Sequence, residues 1–198
     1  MLRSFAFALT TTMAVAKMPN DVADKIYDCT YDENTVKLQV NVNGRTEVIC
    51  GDEDGDAKVY NSDDFSQAPV LTLVGDVKDD AMYTFFLSNP DRIIPVGPII
   101  HNGIGNIKGS DFKAGNLANG DIIFDFFKPN PPIPALNFHY CYVVFEQTNG
   151  TINFDDVKSM ETERFPLDDV ATNYGLNLVT SNYFVAEWKV LGEETFLQ

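Results

Sequence analysis

Residues 83–92 (YTFFLSNPDR) and residues 138–147 (FHYCYVVFEQ) decide the fold of this chain. The apolar run at 82–87 is too dense for a half-exposed strand and predicts a central strand covered on both faces. Residues 93–107 contain prolines and glycines that exclude a helix and favour a strand broken by loops. Pro131 and Pro132 then require an extended loop before a further strand opens at Phe138.

The flanking sequence adds further β signals. Residues 35–42 alternate between apolar and polar, and Asn43 and Gly44 after them form a two-residue hairpin signal with 45–50 as the return strand. Strands are also predicted at 70–74 and 121–127. Asn149 and Gly150 predict a second hairpin, between residues 140–147 and 151–154.

A helix is predicted late in the chain. Leu167, Val170, Ala171 and Tyr174 recur at helical spacing, and Gly175 ends the pattern. Residues 184–190 fit either a strand or a helix. With no internal repeat or linker, the pattern indicates a mainly β (α+β) fold in a single domain, residues 17–198.

The composition limits the class of partner. The chain has 198 residues, of which 44% are hydrophobic, and this is enough to bury the core of one domain. Its formal net charge is −15. A surface this acidic repels phosphate backbones, so we expect no nucleic-acid partner, and we expect a monomer.

The N-terminus is typical of a secretory signal. Arg3 is followed by apolar residues at 5–9 and 13–15, and Ala14 and Ala16 form a small-residue cleavage site before Lys17. The stretch is too short to span a membrane. We therefore expect residues 1–16 to be a signal peptide and the protein to be secreted.

If the protein is secreted, its cysteines can form a disulfide and one asparagine can be glycosylated. Cys29 and Cys50 are expected to form a disulfide that closes a small N-terminal β unit. Cys141, within an apolar run, is expected to remain a buried thiol outside that disulfide. Asn149 begins an Asn-Gly-Thr sequon, a predicted glycosylation site.

Four segments in order resemble the phosphatidylethanolamine-binding protein (PEBP) family, which includes the Raf kinase inhibitor protein. Residues 83–92 are similar to its Y-T-L-x-x-x-D-P-D-x-P-S-R segment, and 101–109 to its H-H/W-x-x-x-N-I-x-G segment. Residues 131–147 are similar to P-P-x-G-x-G-x-H-R-Y-V-F-x-x-Y-E-Q, and 165–184 to its late helix and N-F/Y-F segment. The resemblance implies a large central antiparallel sheet packed on a smaller sheet, with one or two short C-terminal helices.

The resemblance also implies a small anion pocket that works without a metal or cofactor. His101 stands at the family's first pocket histidine, Tyr140 at its tyrosine, and Pro90 and Asp91 at the Pro-Asp of D-P-D. Asn89 replaces the first aspartate. Ungapped alignment places Phe138 at the second histidine and His139 at the following arginine, whereas a one-residue shift would bring His139 into the pocket. Phe184 stands where many members carry Tyr or Phe.

These residues support two functions of different classes. One is a non-enzymatic protein that holds a small anion or a phospholipid head group through His101. The other is a secreted interaction or inhibitor module whose altered pocket is only scaffold, as the changes at Asn89 and Phe138 favour. Enzyme motifs are lacking in the sequence. The acidic run places Asp52, Asp54, Asp56 and Asp63 at calcium-loop spacing, but Ala57 occupies the glycine position, so we expect a solvated loop without metal.

Overall fold

A computed structural model describes residues 36–47, 59–90, 98–131 and 138–187 of the chain. The strands in chain order are β1 (Lys37–Val42), β2 (Arg45–Glu47), β3 (Val59–Asn61), β4 (Val70–Val74), β5 (Met82–Asn89), β6 (Ile99–Lys108), β7 (Asp121–Phe124), β8 (Phe138–Gln147) and β9 (Leu176–Glu187). The helices are α1 (Gly109–Lys113), α2 (Asp155–Lys158) and α3 (Leu167–Asn173), with 3-10 turns at Ser62–Phe65 and Leu117–Asn119.

The strands form two sheets. The smaller sheet has the order β2-β1-β4, and the larger has the order β3-β9-β8-β5-β6-β7. All pairings are antiparallel except that of β3 with β9, which is parallel. The predicted mainly β fold, with a large antiparallel sheet packed on a smaller one, is confirmed. No helix within the described ranges is long and apolar enough to cross a membrane.

Both faces of the large sheet are buried, because its central strands are apolar at successive positions. On one face, side chains such as Leu87 and Tyr142 pack against the small sheet. On the other, Cys141 and Phe145 pack with Val157 and Val170 of helices α2 and α3. The dense run at 82–87 therefore forms a central strand, as predicted. Cys141 is fully buried, also as predicted.

The local signals at the first hairpin and at the late helix are confirmed. Asn43 (φ 51°) and Gly44 (φ 79°) turn the chain from β1 into β2, a conformation that suits these two residues. Helix α3 ends where predicted, and Gly175 follows it at φ 64°. The ambiguous run at 184–187 continues strand β9. Helix α1 was not predicted.

The predicted second hairpin is wrong. The chain turns at Asn149 and Gly150, but residues 151–154 form no strand. Both edges of β8 are already paired, with β5 and β9, so a returning strand has no partner there. The main-chain N–H and C=O of Ile152 bond instead to the side chain of Asn106.

The strand predicted at 121–127 is shorter than expected. Strand β7 ends at Phe124, and residues 125–127 leave the sheet. Their backbone crosses the start of β6, where the Phe127 N–H donates to the His101 carbonyl at 2.7 Å. This departure places Phe127 directly beside His101.

A pair of amides, the buried Gln147 and the half-buried Asn106, joins the strands of the large sheet. The side-chain oxygen of Gln147 accepts from the Thr84 hydroxyl (2.8 Å) and the Asn106 N–H (2.9 Å). Its amide nitrogen donates to the Asn106 side chain (2.8 Å) and the Gly150 carbonyl (2.6 Å). Asn106, at φ 53°, in turn binds Asp121 on β7. The pair thus holds β5, β6, β7, β8 and the 148–152 turn in one register.

Replacing this amide should destabilise the fold. Gln147→Leu keeps similar volume but leaves several buried donors and acceptors without partners, so we expect the free energy of unfolding to fall by about 3 kcal/mol. Urea denaturation measures it. The exposed Gln67 gives the matched control, and Gln67→Leu should change stability by less than about 0.5 kcal/mol. Equal losses in the two variants would contradict the role of the amide pair.

Candidate functional site

A cavity of about 530 Å³ opens where β5 ends and β6 begins. Strands β5, β6 and β8 contribute Asn89, residues 99–101 and Tyr140. The end of β7 and the following loop contribute Phe124, Asp125, Phe127 and Asn130, and the segment before α3 contributes Thr162 and Glu163. Its volume lies in the range of small-ligand sites, and most of its walls are aromatic or aliphatic.

Main-chain hydrogen bonds fix the wall that the 162–165 segment provides. The N–H of Ile100 donates to the Thr162 carbonyl at 2.9 Å, and the N–H of Phe165 donates to the Pro98 carbonyl at 3.2 Å. Ile99 and Glu163 form an isolated antiparallel bridge between these bonds. The segment therefore stays in place against the start of β6 without being part of a sheet strand.

His101 is the polar centre of the cavity. The residue is only 4% exposed, and its ring stacks on Phe127 (centroids 5.5 Å apart, 25° between planes) and meets Tyr140 edge-on at 5.1 Å. Nδ1 lies 3.1 Å from the Phe127 carbonyl oxygen. Because a carbonyl can only accept, Nδ1 carries the proton and donates. Nε2 is buried and has no hydrogen-bond partner among the described residues.

Burial sets the protonation state of this imidazole. Desolvation lowers the pKa of His101 below its ordinary value, and the electrostatic effect of the backbone at Phe127 and Lys128 only partly opposes it. The ring is therefore neutral near pH 7, with its proton on Nδ1. Nε2 therefore carries a lone pair and can accept a hydrogen bond but cannot donate one.

The charged side chains at the cavity are acidic. Asp125 and Glu163 are exposed residues on its lining, and no Lys or Arg lines it within the described ranges. The nearby Lys128 ammonium pairs with Asp63 at 3.3 Å. No cluster of three or more metal-binding side chains occurs in the described part of the chain.

The overall fold of the chain matches solved structures. A carboxypeptidase Y inhibitor, solved in complex with its cognate proteinase, superposes with a TM-score of 0.61 at 16% identity, over 84% of this chain and 90% of that one. A phosphatidylethanolamine-binding protein from Plasmodium vivax gives 0.60 at 15% identity, over 84% and 95% of the two chains. The chain has the PEBP fold. Escherichia coli YbcL, described as a member of the mammalian PEBP family, gives 0.50 at 16% identity, over 77% and 99%.

The likeness lies in the fold and not in close sequence similarity. No protein-family model and no curated protein sequence matches the chain. What the site does must therefore be argued from its own residues, several of which differ from the PEBP pattern.

The PEBP-like residues on β5, β6 and β8 come together. Asn89 is 2% exposed and lines the cavity with His101 and Tyr140. Pro90 follows Asn89 and is half-buried. Phe184 does not line this cavity but supports it from β9, because its ring stacks on Tyr140 with centroids 5.5 Å apart.

Phe138 and His139 are consecutive residues of β8, so their side chains lie on opposite faces of the sheet. Phe138 is fully buried in the core between the sheets, on the same face of β8 as Tyr140. His139 is half-buried on the opposite face, 6.2 Å from the Tyr183 ring. Neither Phe138 nor His139 is among the residues that line the cavity.

Other predicted site residues lie outside the described ranges. These are Asp91, the cysteines of the expected disulfide (Cys29 and Cys50) and the calcium-loop residues Asp52, Asp54 and Asp56. Asp63, the last position of that loop pattern, is exposed in a 3-10 turn and pairs with Lys128.

Sequence reasoning missed the far wall of the cavity. Phe127 contacts His101 through its main-chain carbonyl oxygen and the face of its ring. Every residue has a main-chain carbonyl, so the residue type does not predict this contact. Thr162 and Glu163 reach the site through a single bridge to β6, which leaves no periodic signal. Asp125 could be placed at the cavity only if the end of β7 at Phe124 had been predicted.

The neutral state of His101 predicts acid sensitivity. Because its folded pKa is lowered, the unfolded chain binds more protons between the folded value and the unfolded value of about 6.5. Stability is therefore full above about pH 6.5 and is lost as the pH falls through that window. Urea denaturation from about pH 7.5 to about pH 5.5 should show this loss.

Variants at the two histidines isolate the effect. His101→Leu, or His101→Gln if the first variant is too unstable, should flatten the pH dependence over this range. His139→Gln is the comparison variant, since it removes the other histidine of the chain and shows how much of the slope does not come from His101. An unchanged slope in both His101 variants would contradict a buried neutral imidazole.

Proposed function

We propose that this chain is a non-enzymatic binding protein that holds a small head group, such as the phosphorylethanolamine of a phospholipid, beside His101. The observation that carries the proposal is a buried imidazole whose Nε2 has no partner among the described residues, on the wall of a cavity of about 530 Å³. A buried acceptor without a partner is costly, and a bound ligand removes that cost. The PEBP fold supports the same location.

Binding rather than catalysis fits the hydrogen bonds at this site. Nucleophilic catalysis needs a hydroxyl or thiol held by a base. Thr162 supplies the aliphatic hydroxyl among the described lining residues, and no hydrogen bond joins it to His101 there. His101 Nδ1 is already committed to a carbonyl, so the ring is oriented as a fixed acceptor.

A protein-interaction role is the second candidate. Phe127 is 57% exposed although it stacks on His101 and lines the cavity, and Ile122 on β7 is exposed to the same extent. Exposed apolar side chains beside a cavity are typical of contact sites. The structural likeness to a carboxypeptidase Y inhibitor supports testing this role with carboxypeptidase Y itself. Inhibition that Phe127→Ser removes would favour it.

Calorimetric titration with phosphorylethanolamine tests the first proposal. The wild-type protein should bind, and His101→Leu should lose at least tenfold in affinity, because one hydrogen bond to a charged group contributes roughly 1.5–3 kcal/mol. His139→Gln should bind like wild type. If His101→Leu binds equally well, the cavity is not the site and the protein-interaction role becomes the better account.

Secretion belongs to the same proposal. We infer that the native protein begins at Lys17, carries the Cys29–Cys50 disulfide and bears a glycan on Asn149, which is exposed in its turn. N-terminal sequencing and intact mass of the native protein, before and after glycosidase, measure all three. A native protein that retains Met1 and has the unmodified mass would contradict the proposed secretion, disulfide and glycan.

A further inference from the structure

We propose that the cavity beside His101 takes the ammonium group of a primary amine carried on an apolar body. This rests on the proposed function, because it names the ligand class of the same cavity. For a zwitterion such as phosphorylethanolamine, it means that the amine end and not the phosphate end lies against His101.

The first support is the direction of the available hydrogen bond. His101 Nδ1 donates to the Phe127 carbonyl at 3.1 Å, so the remaining ring nitrogen, Nε2, is an acceptor. It is buried without a partner among the described residues. An ammonium carries three donors and no acceptor, whereas a phosphate dianion or a carboxylate carries acceptors only. The imidazole as the structure holds it therefore complements an amine and opposes an anion.

The second support is the charge of the lining. Asp125 and Glu163 line the same cavity, and neither forms an ion pair within the described part of the chain. The cation at the nearest loop, Lys128, is occupied by Asp63. The chain as a whole carries a formal charge of −15. Two carboxylates at the wall of a cleft attract cations and repel anions.

The third support is the nature of the remaining wall. Ile99, Ile100, Phe124, Phe127 and Tyr140 supply apolar surface around the polar groups. Aromatic faces attract cations, and apolar walls favour a ligand with a hydrocarbon body. An aryl or alkyl amine satisfies both features, whereas a small hydrated metal ion has no hydrocarbon body.

The pH dependence of binding separates the two ligand classes. Burial keeps His101 neutral near pH 7, and acid converts Nε2 into a donor with positive charge. An ammonium then loses its acceptor and meets a cation, while an anion gains a partner. The other titratable groups on the cavity wall are Asp125, Glu163 and Tyr140, with the Lys128 side chain held by Asp63. Amine binding should weaken on acidification, and anion binding should strengthen.

Three ligands of matched size test the inference: benzylamine, benzyl alcohol and benzoate, each titrated calorimetrically into the full chain. At about pH 7.5 we expect benzylamine to bind tightest and benzoate at least about tenfold more weakly. As the pH is lowered, the benzylamine affinity should fall once His101 becomes protonated. Benzoate binding as tightly as benzylamine, or benzylamine binding that rises with acid, would overturn the inference.

Charge-neutral variants locate the effect. Glu163→Gln and Asp125→Asn keep the shape of the wall and should each weaken benzylamine by several-fold while leaving benzyl alcohol unchanged. Glu161→Gln is the matched control, because this exposed glutamate does not line the cavity and should leave both ligands unchanged. If all three variants weaken benzylamine binding equally, the effect comes from the overall charge of the protein, and the proposed contacts are wrong.

Two further ligands distinguish failure of this inference from failure of the proposed function. If ethyl phosphate, which lacks the amine, binds as tightly as phosphorylethanolamine, the head-group function stands and the amine assignment is wrong. If phosphorylethanolamine binds at least tenfold more tightly than ethyl phosphate, both stand. If none of the five ligands binds, both fail and the protein-interaction role remains.

Discussion

The large sheet depends on one pair of hydrogen-bonded amides, the buried Gln147 and the half-buried Asn106. Gln147 and Asn106 bond to each other and use the rest of their hydrogen-bonding capacity on Thr84, Asp121, Gly150 and the backbone of Ile152. Because every donor and acceptor of the pair is satisfied, the network stabilises a single arrangement instead of adding a polar cost to the core. It also fixes β6 against β8, and the site is built on those two strands, with His101 on β6 and Tyr140 on β8.

At the cavity end of the same strands, a buried polar group is not fully hydrogen-bonded within the described residues. There a buried imidazole has one nitrogen bonded to a carbonyl and the other without a partner among the described residues. His101 lines the cavity, and a buried polar atom without a protein partner beside a cavity is a candidate contact for a ligand or a water. The neighbouring carboxylates of Asp125 and Glu163 give the cavity the same preference for donors and positive charge. Under the amine proposal, this cavity takes a cation where the sequence resemblance implies an anion.

Much of the fold could be predicted because its signals are local. The dense run at β5, the Asn43–Gly44 turn and the spacing of Leu167, Val170 and Ala171 each specify their element without help from distant residues. The hairpin at 149–154 was wrong because a side chain 46 positions away in sequence binds the Ile152 backbone. The sequence left open whether Phe138 or His139 faces the pocket, because an alignment does not determine on which face of a strand a side chain lies. The pairing of β8 shows that the two side chains lie on opposite faces of the sheet. The tautomer of His101 depends on a main-chain carbonyl at Phe127, for which no sequence pattern exists.

The most direct test of this account is the tautomer of His101. Long-range ¹H–¹⁵N correlation spectra of the imidazoles, with His139→Gln used for assignment, report which ring nitrogen carries the proton. The account predicts, at neutral pH, a neutral His101 ring protonated on Nδ1 and bare at Nε2, with an Nε2 signal that shifts when benzylamine is added. A ring protonated on Nε2, or an imidazolium at neutral pH, would contradict it.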